Sequence, residues 1–312
     1  MFESEGSVSS VPVENTPFLG KPAKLISVQN KLFIYDSRSD TLVTVFDLNE
    51  NKVITKIVPK GIGPNEALPP LIISIMADDT LLTFDKGKFQ LSYYSFKDSF
   101  NIHEKNNFLF QVPTQVSQLV HIRNSRYLAA GYFEWGRYAI LNAKGEIEKE
   151  LGSFPDFLAG EDDMPNDAKA MFHQVRFENN RNMKKIACLS HHVLEIVDYS
   201  DSIYVSGRIQ LDGYDYKFST GEILYANETE DTSIGAIDVT STDQYIYVLF
   251  EYAKNRTSES ENDIWVFDWT GAPVKKIKVD RDTYLITAVN DNLLYAVVLI
   301  EEDFNIVKLN IQ

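Results

Sequence analysis

The sequence predicts an all-β chain built as a six-bladed β-propeller with four-stranded blades, and three observations carry that expectation. Short apolar, β-branched and aromatic runs recur in pairs separated by polar turn clusters. The second strand of each group begins near Leu32, Leu81, Tyr127, Lys185, Tyr245 and Leu293. That interval of about 50 residues, holding four strands, is the period of a propeller blade. No long stretch shows a helical period, and a β-sandwich predicts no such regular interval.

The clearest group is Lys31-Leu32-Phe33-Ile34-Tyr35-Asp36, the turn Ser37-Arg38-Ser39-Asp40, then Thr41 to Asp47. Ala23 to Val28 precedes it and Val53 to Pro59 follows, which completes one blade over residues 17–66. The same figure predicts blades over about 67–111, 116–151, 170–209, 235–280 and 283–312. The fourth blade opens on Phe172 to Phe177, and only Asn166 to Met171 ahead of it reads as a helical turn. The sixth group has Tyr284 to Val289, Leu293 to Ile300 and Asn305 to Ile311, one strand too few. The segment Val8 to Val13 is the strand left to complete it and to cover an open edge. One propeller domain over residues 1–312 is the expected organisation.

Composition narrows the function classes. Forty-four per cent hydrophobic and 24% charged residues fit a folded globular chain, and 16 Tyr with 19 Phe favour strands. A net charge of −15 argues against nucleic acid and anionic lipid as partners. No apolar run has the ~18 residues of a membrane span. The polar start Met1-Phe2-Glu3-Ser4-Glu5-Gly6-Ser7 is not a signal peptide and fits a chain trimmed of a signal or lipid-anchor segment. Cys188 is the single cysteine, set in Ile186-Ala187-Cys188-Leu189, so it reads as a small buried hydrophobe and no internal disulfide forms.

The blade pattern and the loop Lys60-Gly61-Ile62-Gly63-Pro64-Asn65-Glu66 resemble the TolB-like six-bladed β-propeller family. Gly61, Gly63, Pro64 and Glu66 match the G-x-G-P-x-E loop that commonly follows the first blade in that family. The resemblance implies an extracytoplasmic bacterial protein, periplasmic or at the cell surface and often a lipoprotein, with a binding role. It assigns no reaction. No lipobox cysteine stands at this N-terminus.

In propeller register, loops between blades share a face with the turns joining second and third strands. That face collects Lys60–Glu66, Glu134–Arg137, Gly152–Ala170, Gln210–Gly235 and Ala253–Asn262, and it is the expected site. Five residues are its candidate ligand-binding groups: Trp135, Arg137, Glu66, His173 and Arg176. Trp135 and Arg137 put an indole and a guanidinium on one hairpin, a pair suited to sugars, peptides or carboxylates. Trp135 covering a neighbouring blade is the plainer alternative. His173 and Arg176 fall on the predicted inner strand of blade four, three residues apart, so both cannot face one side.

His191-His192 sits at a hairpin turn, Glu161-Asp162-Asp163 lacks calcium-loop spacing, and the glycine loop is followed by no helix that would cradle phosphate. No catalytic residue, metal ligand set or cofactor is expected. The reading is a binding module for a protein, peptide or glycan. The alternative is a lactonase-like metal-dependent hydrolase, for which Glu66, Asp238 and Asn290 are the conceivable oxygen ligands. Oligomeric state is not encoded in any feature of the sequence.

Overall fold

The computed structural model describes residues 2–311 apart from 78, 98–102, 111, 156, 158–163, 212–216, 220–224, 228–232 and 255–261. The acidic run 161–163 and most of the 210–235 and 253–262 loops therefore lie outside the described residues. The chain divides into two compact units, Met1–Gly6 with Pro113–Asp282 and Ser7–Val112 with Thr283–Gln312. Each unit holds three blades. Together they supply the six antiparallel sheets, five of four strands and one of five, of a six-bladed β-propeller.

In the unit Ser7–Val112/Thr283–Gln312, blade one runs Pro22–Val28, Lys31–Asp36, Thr41–Asp47 and Lys52–Pro59. Blade two runs Leu71–Ala77, Thr80–Asp85, Gln90–Ser95 and His103–Leu109. Blade six takes Thr283–Asn290, Leu293–Ile300 and Asp303–Asn310 and is completed by Ser10–Pro12, which pairs antiparallel with the last strand. Pro12 is tolerated there because this strand is the outer edge and its missing N–H breaks no interior ladder.

In the other unit, blade three runs Val116–His121, Tyr127–Gly131, Tyr138–Leu141 and Ile147–Leu151. Blade four runs Arg176–Asn179, Lys185–Ser190, Val193–Asp198 and Tyr204–Gln210. Blade five runs Ser233–Ser241, Tyr245–Lys254, Asn262–Asp268 and Pro273–Val279, with Ser4–Val8 added as a fifth strand. That fifth strand and a short hairpin, Lys217–Ser219 with Tyr225–Asn227, go beyond the sequence expectation. Blade four differs from it too. Phe172 and His173 are not in its first strand, since Asn166–Phe172 is a helix and His173 caps its C-terminus.

The core lies between neighbouring sheets within each unit. Middle strands such as Lys31–Asp36 and Val193–Asp198 are buried along their whole length, because a sheet stands on either side of them. Outer strands such as Ile147–Leu151 are mostly exposed. Phe250 and Trp265 stack with ring centroids 4.5 Å apart in the core shared by blades four and five.

An aspartate ending the second strand ties down the entry to its blade. Asp36 accepts from the backbone N–H of Gly20 at 2.6 Å and Lys21 at 2.9 Å, and Asp85 accepts from that of Leu68 at 2.8 Å. The G-x-G-P-x-E loop is a related device. Glu66 folds back so that its carboxylate accepts from the Gly63 N–H at 2.7 Å, and a Cβ on Gly61 would collide with that carboxylate. Lys88 Nζ donates to the carbonyls of Gly63 at 2.8 Å and Glu66 at 2.5 Å, closing the loop from the other side. Gly61→Ala is accordingly expected to displace Glu66 and to cost about 1.5 kcal/mol, the lower end for a hydrogen bond to a charged group. A urea midpoint equal to wild type would show that the carboxylate does not hold this loop.

Candidate functional site

Helix Asn166–Phe172 delivers Phe172 and His173 to the end of blade four where the second strand turns into the third. The hairpin there carries His191 and His192, and the outermost strand ends beside it at Gln210. These residues, with Phe157 and Val193, line a small, partly open pocket. Asn166 Nδ2 donates to the Glu134 carbonyl at 2.9 Å and so anchors the helix to the hairpin that bears Trp135. The pocket therefore forms on the loop face expected from the sequence, within the unit of blades three to five.

His192 is buried, and its ring lies 6.4 Å from that of His191 and 6.3 Å from that of Phe250. Loss of solvent, aided by His191 and His173, pulls its pKa down to about 3. His191 is also lowered, first by loss of water around its ring, although the residue keeps an exposed side, and then by Arg176 and His173. The His191 and His192 imidazoles are thus neutral at neutral pH. Gly235, at φ +85°, packs on His192, and a Cβ there would come within 2.6 Å of the ring.

Beside the pocket lies a buried ionic network. Arg137 is 1% exposed and Glu195 is fully buried, and Arg137 Nε forms an ion pair with Glu195 Oε2. The Tyr138 hydroxyl accepts from Arg137 Nε at 2.9 Å and donates to Glu195 Oε2 at 2.6 Å. Arg208 Nε donates to the other carboxylate oxygen at 2.8 Å. Arg137 Nη2 donates to Ser190 Oγ at 2.9 Å, reaching the strand that ends in the histidine hairpin. Burial works against the Arg137 charge, but Tyr138 and Glu195 outweigh it and hold its pKa above the ordinary guanidinium value. Burial likewise raises the Tyr138 hydroxyl and, together with Glu195, the Cys188 thiol, so both stay protonated at neutral pH.

The five sequence candidates separate. His173 lines the pocket. Arg137 does not present its guanidinium on a loop surface as its hairpin position implied; it is interior and held by Glu195, Tyr138 and Ser190. Trp135 is 37% exposed and stacks on Phe133 with centroids 4.7 Å apart. Arg176 opens the first strand of blade four, 48% exposed, with Nη1 3.7 Å from Oδ1 of the fully buried Asp238. Glu66 belongs to the other unit and closes its own loop there.

Sequence reasoning missed Glu195, Tyr138, Ser190 and Arg208. A lone acid in the otherwise apolar run Val193-Leu194-Glu195-Ile196-Val197 was the available signal, since such an acid requires a buried partner. Among the described residues no group of three or more His, Cys, Asp or Glu is placed to hold a metal ion. No helix among them is long and apolar enough to cross a membrane.

No curated protein matches the chain. Among solved structures it is similar over its whole length to a "Putative exported protein" of Bacteroides fragilis NCTC 9343, with 14% identity, full coverage of both chains and a TM-score of 0.63. It is also similar to the PQQ-bound aldose sugar dehydrogenase of Streptomyces coelicolor, with 9% identity, 98% coverage of each chain and a TM-score of 0.54. At these identities the likenesses speak to the fold. A family model described as TolB-like 6-blade propeller-like matches residues 2–292, and the chain belongs to that family.

Proposed function

We propose that the protein is a non-catalytic binding module of the bacterial cell envelope that takes its ligand in the histidine-lined pocket of blade four. The observation that carries this reading is the pocket itself. Two phenylalanines and three histidines converge there from a helix, the connection leading into it and a hairpin. A concave apolar wall with a few polar groups is the ordinary form of a ligand site. The exposed Trp135, Phe157 and Met171 lie on segments leading to it and give a partner apolar surface to cover. An extracytoplasmic location is supported by the exported description of the Bacteroides fragilis neighbour. The candidate partners are a peptide, the end of a protein chain, or a glycan.

The test is a thermal-shift panel of free organic acids, short peptides with free and blocked ends, sugars, and calcium and zinc salts. One organic class at about 100 times its dissociation constant is expected to stabilise by ~2.7 kcal/mol, a rise of a few degrees. Phe172→Ala is expected to abolish that rise. Turnover of the stabilising compound by the purified protein would overturn the non-catalytic reading, and a shift with a metal ion alone would favour the hydrolase.

A further inference from the structure

Trp135 is the tryptophan that faces solvent: it is 37% exposed, whereas Trp265 and Trp269 are buried. Phe133 covers one face of its indole, with ring centroids 4.7 Å apart and planes 16° from parallel. The exposed surface is therefore the other face and an edge. The hairpin that carries it is fixed on both sides. Ahead of Trp135, the Glu134 carbonyl accepts from Asn166 Nδ2 at 2.9 Å. After it, a Cβ on Gly136 would come within 2.6 Å of the Gly152 carbonyl oxygen. The Arg137 N–H donates to that same oxygen at 3.1 Å, and the Arg137 side chain is buried against Glu195. A ring held in this way loses little freedom when a partner covers it.

Two further exposed apolar side chains adjoin it. Met171 lies on the helix that Asn166 ties to this hairpin, and Phe157 lines the pocket with Phe172 of that helix. Single exposed apolar residues are ordinary, but these three sit on segments bonded to one another and make one surface.

Charge decides what covers that surface. The unit Met1–Gly6 with Pro113–Asp282 holds 30 of the chain's 45 Asp and Glu and 18 of its 30 Lys and Arg, a net −12 against −3 for the other unit. Within it, residues 152–170 and 210–235, the connections that include Phe157 and Gln210 of the pocket wall, hold eleven acids and two lysines. Glu134 precedes Trp135 and Asp167 follows Asn166, which puts exposed carboxylates on both segments of the surface. Arg137, the cation of the hairpin, is interior and its charge is met by Glu195. Anions are repelled from such a surface, a neutral sugar gains nothing from its charge, and a cation is drawn to it.

From this we infer that the Trp135 surface docks a basic segment of another protein, and that an arginine of that segment lies flat on the open face of the indole. The inference rests on the binding reading above and names its partner. Arginine suits the place better than lysine, because a planar, weakly hydrated guanidinium stacks on an indole while its N–H groups reach carboxylates alongside. Met171, flexible and apolar, adapts to the neighbouring side chains of the segment.

Titration calorimetry on the intact protein tests this with three blocked peptides. One is built of Arg-Ala-Leu repeats, the second has citrulline in place of each arginine, and the third has glutamate there. Citrulline keeps the shape of arginine and removes its charge. The arginine peptide is expected to bind about tenfold more tightly than the citrulline peptide, and more weakly as salt is raised. The glutamate peptide is expected not to bind. Trp135→Ala is expected to weaken the arginine peptide about tenfold. Should that variant fold poorly, Trp135→Leu keeps an apolar cover on Phe133 and removes the indole face.

Equal binding of the arginine and citrulline peptides would overturn the cationic partner. A folded Trp135 variant that binds the arginine peptide as wild type does would overturn the indole contact. Spermidine binding as tightly as the peptide would overturn the protein segment. If the arginine peptide does not bind while a compound of the thermal-shift panel does, this inference falls and the binding reading stands. If nothing binds in either set, both fall.

Discussion

Glu195→Ala is expected to destabilise the protein by about 3–5 kcal/mol, the usual consequence of removing one member of a buried ion pair. Glu195 is fully buried and receives Arg137, Tyr138 and Arg208 on its two oxygens. Truncation leaves the Arg137 guanidinium buried with no counter-charge and strands the Tyr138 hydroxyl. Arg208 is partly exposed and keeps the Ser153 carbonyl as a partner at 2.6 Å, so the loss falls chiefly on Arg137. Urea unfolding followed by tyrosine and tryptophan fluorescence measures the change. The double variant Arg137→Met with Glu195→Leu is expected to recover most of the lost stability, because an apolar pair of similar volume removes both desolvation penalties. A single variant with the wild-type midpoint would mean that the network stabilises nothing.

Acidification is expected to produce the next largest effect through His192. Its pKa in the folded protein is about 3, lowered chiefly by burial and further by His191 and His173. In the unfolded chain an imidazole titrates near 6.5. The folded state therefore binds fewer protons than the unfolded state between these values, and stability falls as pH falls through that window. Below pH 6.5 the slope for this one residue approaches about 1.4 kcal/mol per pH unit. Between pH 6.5 and 4.5 the expected loss is about 2–3 kcal/mol, with His191 acting in the same direction. Arg176 adds to it, since its charge further disfavours a second positive charge on His191. Unfolding of wild type and His192→Asn across pH 4.5–7.5 isolates the effect from carboxylate titration. Parallel curves for the two proteins would remove His192 as the cause.

The blades were legible in the sequence because their middle strands are buried on both faces, which leaves near-continuous apolar runs such as Leu32 to Tyr35 and Val193 to Val197. The strand that completes blade six was legible by counting, since Val8 to Val13 was the β-prone segment left over. The helix was partly legible, and its C-terminal reach to Phe172 was not. Phe172-His173 reads equally as the start of a strand until the backbone is seen to turn at His173. The site was legible as a face and not as a set of side chains. Arg137 occupies the hairpin position expected of an exposed residue, yet it folds inward because Glu195, on the third strand of the next blade, needs a counter-charge. Such pairing joins residues 58 positions apart and leaves no local pattern. Glu66 was read as a ligand group, and the collision that a Cβ on Gly61 would cause ties it to its own loop.

The pairing of Ser10–Pro12 with the last strand bears on the order in which the protein assembles. Ser10 lies opposite Leu309, so this contact closes a loop of nearly the whole chain. Closing about 300 flexible residues costs roughly 5 kcal/mol of chain entropy if nothing else has formed, and much less once the intervening blades are in place. This strand therefore docks late, after the blades between it and Asp303–Asn310 have formed. Until residues 303–310 are in place, the segment around Val11 remains an unpaired β-prone edge, open to pairing with other chains.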